Sequence, residues 1–197
     1  MTECGPAIAF DHWQTFRPTS CGKAVDRMEI KIDSADPFNQ VGEILTKGMN
    51  VMEGYYNNTE ATETVLSSDG WLHTGDLGVL DKEGYLYIKG RSKSLILGPS
   101  GQNIYPEEIE DILNALPYVA ESLVIERDGK LVALVYPDAE AMKQNKVSRE
   151  ALVKIINDTR KQVNQQIPAY SQIAHIQIHD EEFEKTPKRS IKRYLYQ

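Results

Sequence analysis

The stretch "VAESLVIERDGKLVALVYP", residues 119–137, constrains the fold most. It reads as two strands around the turn "RDGK" and lies between two helical patterns. "PEEIEDILNAL", residues 106–116, opens with Pro106 at the first helical position and acids in the first turn, both favourable there. Its Ile109, Ile112, Leu113 and Leu116 form one face. "SREALVKIINDTRKQVNQQI" is a long helix capped by Ser148, with Leu152, Ile155, Ile156, Thr159 and Val163 on one side. "LIL" gives a short strand before the tight loop "GPSG", and "IAHIQIHD" gives a last strand. Together these elements predict an α+β domain over residues 94–197, of about 105 residues, a size that folds on its own.

The preceding residues have a different character. Residues 1–27 read as irregular, punctuated by Gly5, Pro6, Pro18 and Gly22. "MEIKID" alternates apolar and polar residues and reads as a strand, as does "VGEILTKG". "ATETVLSSDGW" reads as a short helical stretch ending at Gly70. "LGVLDKEGYLYIKG" gives two strands around "DKEG", a hairpin signal. Residues 1–90 are therefore expected to form a small antiparallel sheet or barrel, with the division between domains at residues 90–93.

Bulk properties exclude several function classes. Net charge is −7, which disfavours nucleic-acid binding, since phosphate neutralisation needs a basic surface. The one basic concentration, "KTPKRSIKRY", reads by default as a solvated tail. Cys4 and Cys21 make neither a disulfide framework nor a metal-ligand cluster and suit a reducing cytosol. No stretch approaches the roughly 20 apolar residues that span a bilayer, and the start does not read as a signal peptide. These features predict a soluble cytoplasmic protein.

Several residues could carry chemistry. Asp76 in "GWLHTGDLG" sits between two glycyl steps, and Arg91 follows fifteen residues later across the hairpin. A carboxylate accepts hydrogen bonds from a vicinal diol, and a guanidinium donates to ribose or phosphate oxygens, so the two together suit a nucleotide ribose. A purely structural ion pair fits the same spacing. Gly98 and Gly101 bracket a loop through which backbone can approach a ligand closely; a plain turn fits equally. Thr2 can donate to phosphate, and Glu3 can ligate magnesium. Lys188, Arg189, Lys192 and Arg193 offer cations to a reacting carboxylate or phosphate.

Taken in order, these segments resemble one family. "MTE" is similar to the end of a Tyr-Gly-x-Thr-Glu motif, and "VGEILTKGMNVMEGYYNNTEATETVL" to a Gly-Glu-Leu … Gly-Tyr-x-Asn segment. "GWLHTGDLG" resembles a Thr-Gly-Asp motif, and "GRSKSLILGPSGQNIYPEEIE" a hinge followed by a glycine loop. The family is that of the adenylate-forming, AMP-forming acyl-CoA synthetases. The loop and the "KRYLY" ending are most similar to bacterial long-chain fatty-acid–CoA ligases.

The resemblance implies a fold, roles and partners. Residues 1–90 would be the strand-rich end of the AMP-binding N-terminal domain, 91–93 a hinge, and 94–197 a small, mobile α+β lid. Thr2 would contact the adenylate phosphate and Glu3 the magnesium. Asp76 and Arg91 would bind the ribose, and Lys93 would be the pivot. Gly98, Ser100 and Gly101 would line the pantetheine channel. ATP, Mg2+ and CoA would be co-substrates of a fatty acid. Two departures accompany the likeness. The chain begins inside the Thr-Glu motif, so a preceding N-terminal region is expected as a partner and the chain alone is expected to be inactive. In a Thr-Pro-x-x-Lys-Ile-x-Arg pattern laid on "TPKRSIKR", the lysine position holds Ser190, leaving Lys188 and Lys192 as flanking candidates. A non-catalytic lid-fold binding or regulatory module is the alternative reading.

Overall fold

In the computed structural model, which describes residues 1–197, the chain divides into two units, Met1–Lys93 and Ser94–Gln197. No helix is long and apolar enough to cross a membrane.

The first unit opens with a short 3-10 turn, Thr2–Cys4, and then a two-stranded antiparallel ribbon of β1 (Ala9–Phe10) and β2 (Lys23–Ala24). The region read as irregular thus contains one small piece of regular structure, too short for a periodicity signal. Next come β3 (Met28–Asp33), β4 (Gly42–Gly48), helix α1 (Thr59–Val65), β5 (Leu72–Leu80) and β6 (Leu86–Arg91). The four long strands form an antiparallel sheet in the order β3-β4-β5-β6, an open meander and not a barrel. Ile32, Ile44 and Leu86 are its buried core, with Ile8, Ile30 and Leu80 against them.

Helix α1 lies earlier than expected. Asn58 caps it by accepting from the Ala61 amide at 3.1 Å. It ends at Leu66 because residues 67–71 close a turn of their own. There the Gly70 amide donates to the Ser67 carbonyl and the Trp71 amide to the Ser67 hydroxyl. A serine that competes for backbone donors in this way stops a helix.

The second unit begins with the hairpin β7 (Ile96–Leu97) and β8 (Asn103–Ile104) and helix α2 (Pro106–Asn114). Then follow β9 (Val119–Arg127), β10 (Lys130–Pro137), α3 (Ala139–Gln144), α4 (Arg149–Gln166) and β11 (Ile173–Ile178). The sheet order is β11-β10-β9, antiparallel between β9 and β10 and parallel between β10 and β11. Ser148 caps α4 as expected, its hydroxyl accepting from the Ala151 amide. Both faces of this sheet are covered, which is why "LVALV" is apolar without alternation. On one face Val124, Leu131 and Ala133 pack with Ile109, Leu113 and Val163. On the other, Leu123, Ile125, Val132 and Leu134 pack with Phe183, Ile191 and Tyr196.

That second face corrects the reading of the C-terminus as a solvated tail. Residues 185–191 double back through an antiparallel bridge between Lys185 and Ile191. Phe183 is buried, and its ring meets that of Tyr196 edge-on. Arg193 pairs with Glu110 and Glu107 of α2. β9 is an edge strand, and Glu110 and Arg193 occupy the outward N–H and C=O of Val124. A basic run became a strap because its apolar residues and one of its arginines found partners distant in sequence.

Candidate functional site

The first unit brings Asp76 and Arg91 together. They stand directly opposite across β5 and β6, and Arg91 Nη1 lies 2.8 Å from Asp76 Oδ1. The glycyl steps around Asp76 lie inside a strand that bulges. Glu43 pairs with Leu77 and Leu45 with His73, so Ile44 alone stands opposite Thr74, Gly75 and Asp76. Gly75 holds a left-handed φ of +71° at this bulge. A Cβ there would meet Arg91 Nη2 at 3.2 Å, so the missing side chain gives the guanidinium its room.

Side chains satisfy the bulge's backbone. Thr74 Oγ1 donates to the Ile44 carbonyl at 2.7 Å and accepts from the Asp76 amide at 3.1 Å. The Ser92 hydroxyl donates to the Gly75 carbonyl. Glu43 Oε1 accepts from the Gly75 amide at 2.9 Å, and its Oε2 lies 2.8 Å from His73 Nδ1. Asp76 and Thr74 also border an open cavity of about 220 Å³ whose walls include Met1, Ile8 and Leu86. Bulges of this kind re-aim a side chain next to a site.

The other expected residues of this unit lie nearby in part. Met1 reaches the same cavity as Asp76, whereas Thr2, exposed on the first turn, and Glu3 are not among its walls. Glu3 accepts a hydrogen bond from the Tyr55 hydroxyl at 3.2 Å, and its carbonyl accepts from the Met52 amide. Burial, the Glu3 charge and this hydrogen bond push the Tyr55 hydroxyl up. No group of three or more His, Cys, Asp or Glu side chains is arranged to hold a metal. Lys93 is exposed on a 3-10 turn, Ser92–Ser94, where the two units divide.

In the second unit, the glycine loop joins β7 to β8. The Gly98 amide donates to the Gln102 carbonyl, and the Gly101 amide to the Gly98 carbonyl. Gly101, with φ of +81°, completes a turn that an L side chain would strain. Gly98 and Ser100 line a cleft of about 480 Å³ with Gln102, Lys130, Tyr170 and Gln172; Gly101 does not. The C-terminal cations are separated by the hairpin. Lys188 is exposed near its tip, while Lys192 on the returning arm is bound to Glu184 at 3.1 Å. The Glu184 hydrogen bond and charge push the Lys192 ammonium up. Ser190 is part of the turn, its amide donating to the Thr186 hydroxyl and its carbonyl accepting from the Thr186 amide.

The model of the AMP-binding enzyme C-terminal domain matches residues 93–196, and that of the AMP-binding enzyme residues 1–56. The chain belongs to the AMP-binding enzyme family. It is 39% identical over 123 residues to the long-chain-fatty-acid–CoA ligase ACSBG2 of Gallus gallus, covering 62% of this chain and 16% of that protein. It is 40% identical over 138 residues to the 2-succinylbenzoate–CoA ligase of Bacillus cytotoxicus, covering 68% of this chain and 28% of the relative. The chain thus spans well under a third of either relative. Among solved structures, the O-succinylbenzoate coenzyme A synthetase of Bacillus subtilis in complex with ATP and magnesium ion aligns with a TM-score of 0.80. Its identity is 31%, and the match covers 98% of this chain and 39% of that one. The α+β architecture expected from the sequence is the one this family has.

Sequence reading missed Glu43, Thr74, Ser92 and Tyr55 as members of the site. Glu43 lay in plain view within "VGEILTKG", but nothing local to that strand signals a bulge about thirty residues away.

Proposed function

We propose that this chain forms the C-terminal part of an ATP-dependent, AMP-forming acid–CoA ligase. In that reaction a carboxylate oxygen attacks the α-phosphorus of ATP, giving an acyl-adenylate and expelling pyrophosphate. The CoA thiol then attacks the acyl carbon, the thioester forms and AMP leaves. The observation that carries the reading is the Asp76–Arg91 pair on its bulge beside an open cavity, in a chain of this family. Asp76 accepts from the ribose hydroxyls and Arg91 supports the same sugar. Thr2 donates to the adenylate phosphate. Glu3 is a single carboxylate, and magnesium commonly binds through one or two carboxylates plus phosphate oxygens. Bound there, the ion would neutralise phosphate charge. Lys93 acts as the hinge, a role favoured by the division of the chain next to it. Gly98, Ser100 and Gly101 serve the pantetheine channel, and Lys188 or Lys192 supplies the cation for adenylation.

A fatty acid is the acyl substrate favoured by the likeness of "GPSGQNIYPEEIE" and by the chicken relative. The succinylbenzoate ligase matches at 40% identity against 39% for the chicken relative, so a test must compare the two. One observation favours a second reading, a lid kept for binding alone: Ser190 stands where the family pattern has lysine.

The test joins this chain behind the preceding portion of a long-chain fatty-acid–CoA ligase and, separately, of the B. subtilis succinylbenzoate synthetase. ATP–pyrophosphate exchange reports adenylation. Both fusions should exchange, the fatty-acid one faster, and Asp76→Ala should slow exchange roughly tenfold to a hundredfold, the loss of a charged hydrogen-bond acceptor. An unchanged rate in Asp76→Ala overturns the ribose assignment. Silent fusions that Ser190→Lys revives establish the binding-only reading.

A further inference from the structure

The bulge that presents Asp76 is held by a carboxylate to which the proposed reaction gives no part. Glu43 stands on β4, the strand beside β5, and spends both oxygens on the bulge region: one on the Gly75 amide, one on His73. Gly75 is the residue with the left-handed φ, and Asp76 follows it directly. An amide at such a bulge has lost its ladder partner and needs another acceptor.

We infer that Glu43 is a positioning residue: its carboxylate clamps the Gly75 amide and thereby fixes the direction in which Asp76 presents its own. The inference rests on the ribose role given to Asp76 above. Three details favour a clamp over incidental contact. The acceptor is charged, which makes the hydrogen bond about twice as strong as a neutral one. His73 holds the second oxygen, so the carboxylate is oriented as well as placed. Thr74, the residue between His73 and Gly75, is tied to the Ile44 carbonyl, so the start of the bulge is fixed to the same stretch of β4 that carries Glu43. Remove Glu43 and the Gly75 amide has no acceptor across the bulge, while Arg91 still lies over the glycine.

The test uses the complete 197-residue chain for structure and the fusions above for chemistry. In the native chain the Gly75 amide proton, followed by NMR hydrogen exchange, should be protected. Glu43→Gln keeps an acceptor oxygen, so it should retain most of the Gly75 exchange protection. Glu43→Ala should lower that protection at least tenfold. In the fusion, Glu43→Ala should lower kcat/KM for ATP about tenfold, and Glu43→Gln should recover part of the loss. Unchanged Gly75 protection in Glu43→Ala overturns the clamp. So does a disturbed Gly75 with normal adenylation in a fusion that Asp76→Ala damages. If Asp76→Ala and Glu43→Ala both leave adenylation intact while Gly75 responds to Glu43, the ribose assignment is what fails.

Discussion

Each unit of the molecule contains a carboxylate–arginine pair, and the two differ in nearly every respect except chemistry. Asp76 and Arg91 are neighbours across a hairpin, with side chains 26% and 56% exposed, beside a cavity. Glu110 and Arg193 come from opposite ends of the second unit, with side chains 10% and 20% exposed, and both also bond the backbone of Val124. In the first pair the guanidinium is mostly in water and the geometry is imposed by a bulge. In the second, both side chains also bind the backbone of Val124 and help close a sheet edge. The Glu110–Arg193 pair is committed to structure and largely buried. The Asp76–Arg91 pair is left part-open and is held in place by other residues.

The largest effect should come from breaking the buried pair. Arg193→Ala leaves Glu110 charged and desolvated and takes the donor away from the Val124 carbonyl. A buried pair broken from one side costs about 3 kcal/mol or more. Far-UV circular dichroism during urea unfolding reports it well, because all the longer helices belong to this unit. A loss under 1 kcal/mol would erase the contrast between the pairs.

The same variant carries a pH signature. Burial pushes the Glu110 carboxyl up, and Arg193 with the Val124 amide pulls it only partly back. A folded-state value above the unfolded one, about 4.3 for glutamate, adds stability at low pH that is lost as pH rises through the folded value. Removing Arg193 raises the carboxyl further. The deficit of Arg193→Ala relative to the native chain should therefore be largest at neutral pH and shrink as acid protonates Glu110. A deficit that grows in acid would mean that Glu110 is not desolvated as described.

Much of this was legible in the sequence, and what was not has a common cause. Strands, turns and the two long helices announce themselves through signals a few residues apart: Asp-Gly between "LVIER" and "KLVALV", Ser148 before an amphipathic run, Pro106 at a first turn. The Asp76–Arg91 pairing was readable because a hairpin brings residues at fixed offsets together. The bulge was not, since its cause, Glu43, sits on another strand. Arg193 was read as a solvated cation because its partner is 83 residues away. Helix α3 went unseen because six residues give no periodicity, although Asp138 caps it through the Glu140 and Ala141 amides. Short-range signals specify elements; the partners of the charged residues come from contacts that only the fold creates.

The smallest expected effect tests the comparison most directly. Arg91→Ala should change the stability of the first unit by less than about 1 kcal/mol, since exposed ion pairs contribute little once solvent screening and side-chain entropy are counted. Both tryptophans, Trp13 and Trp71, lie in that unit, so fluorescence during urea unfolding isolates it from the other. Asp76 also contacts groups besides Arg91, so the single variants do not measure the pair. The double-mutant cycle of Asp76→Ala and Arg91→Ala does, because effects on those other contacts cancel around it. A coupling of a few tenths of a kcal/mol fits a pair whose groups are available to a ribose. A coupling above about 2 kcal/mol would place it with Glu110–Arg193 as a structural bond. Asp76 would then be spent within the fold, and the nucleotide assignment would lose the residue on which it rests.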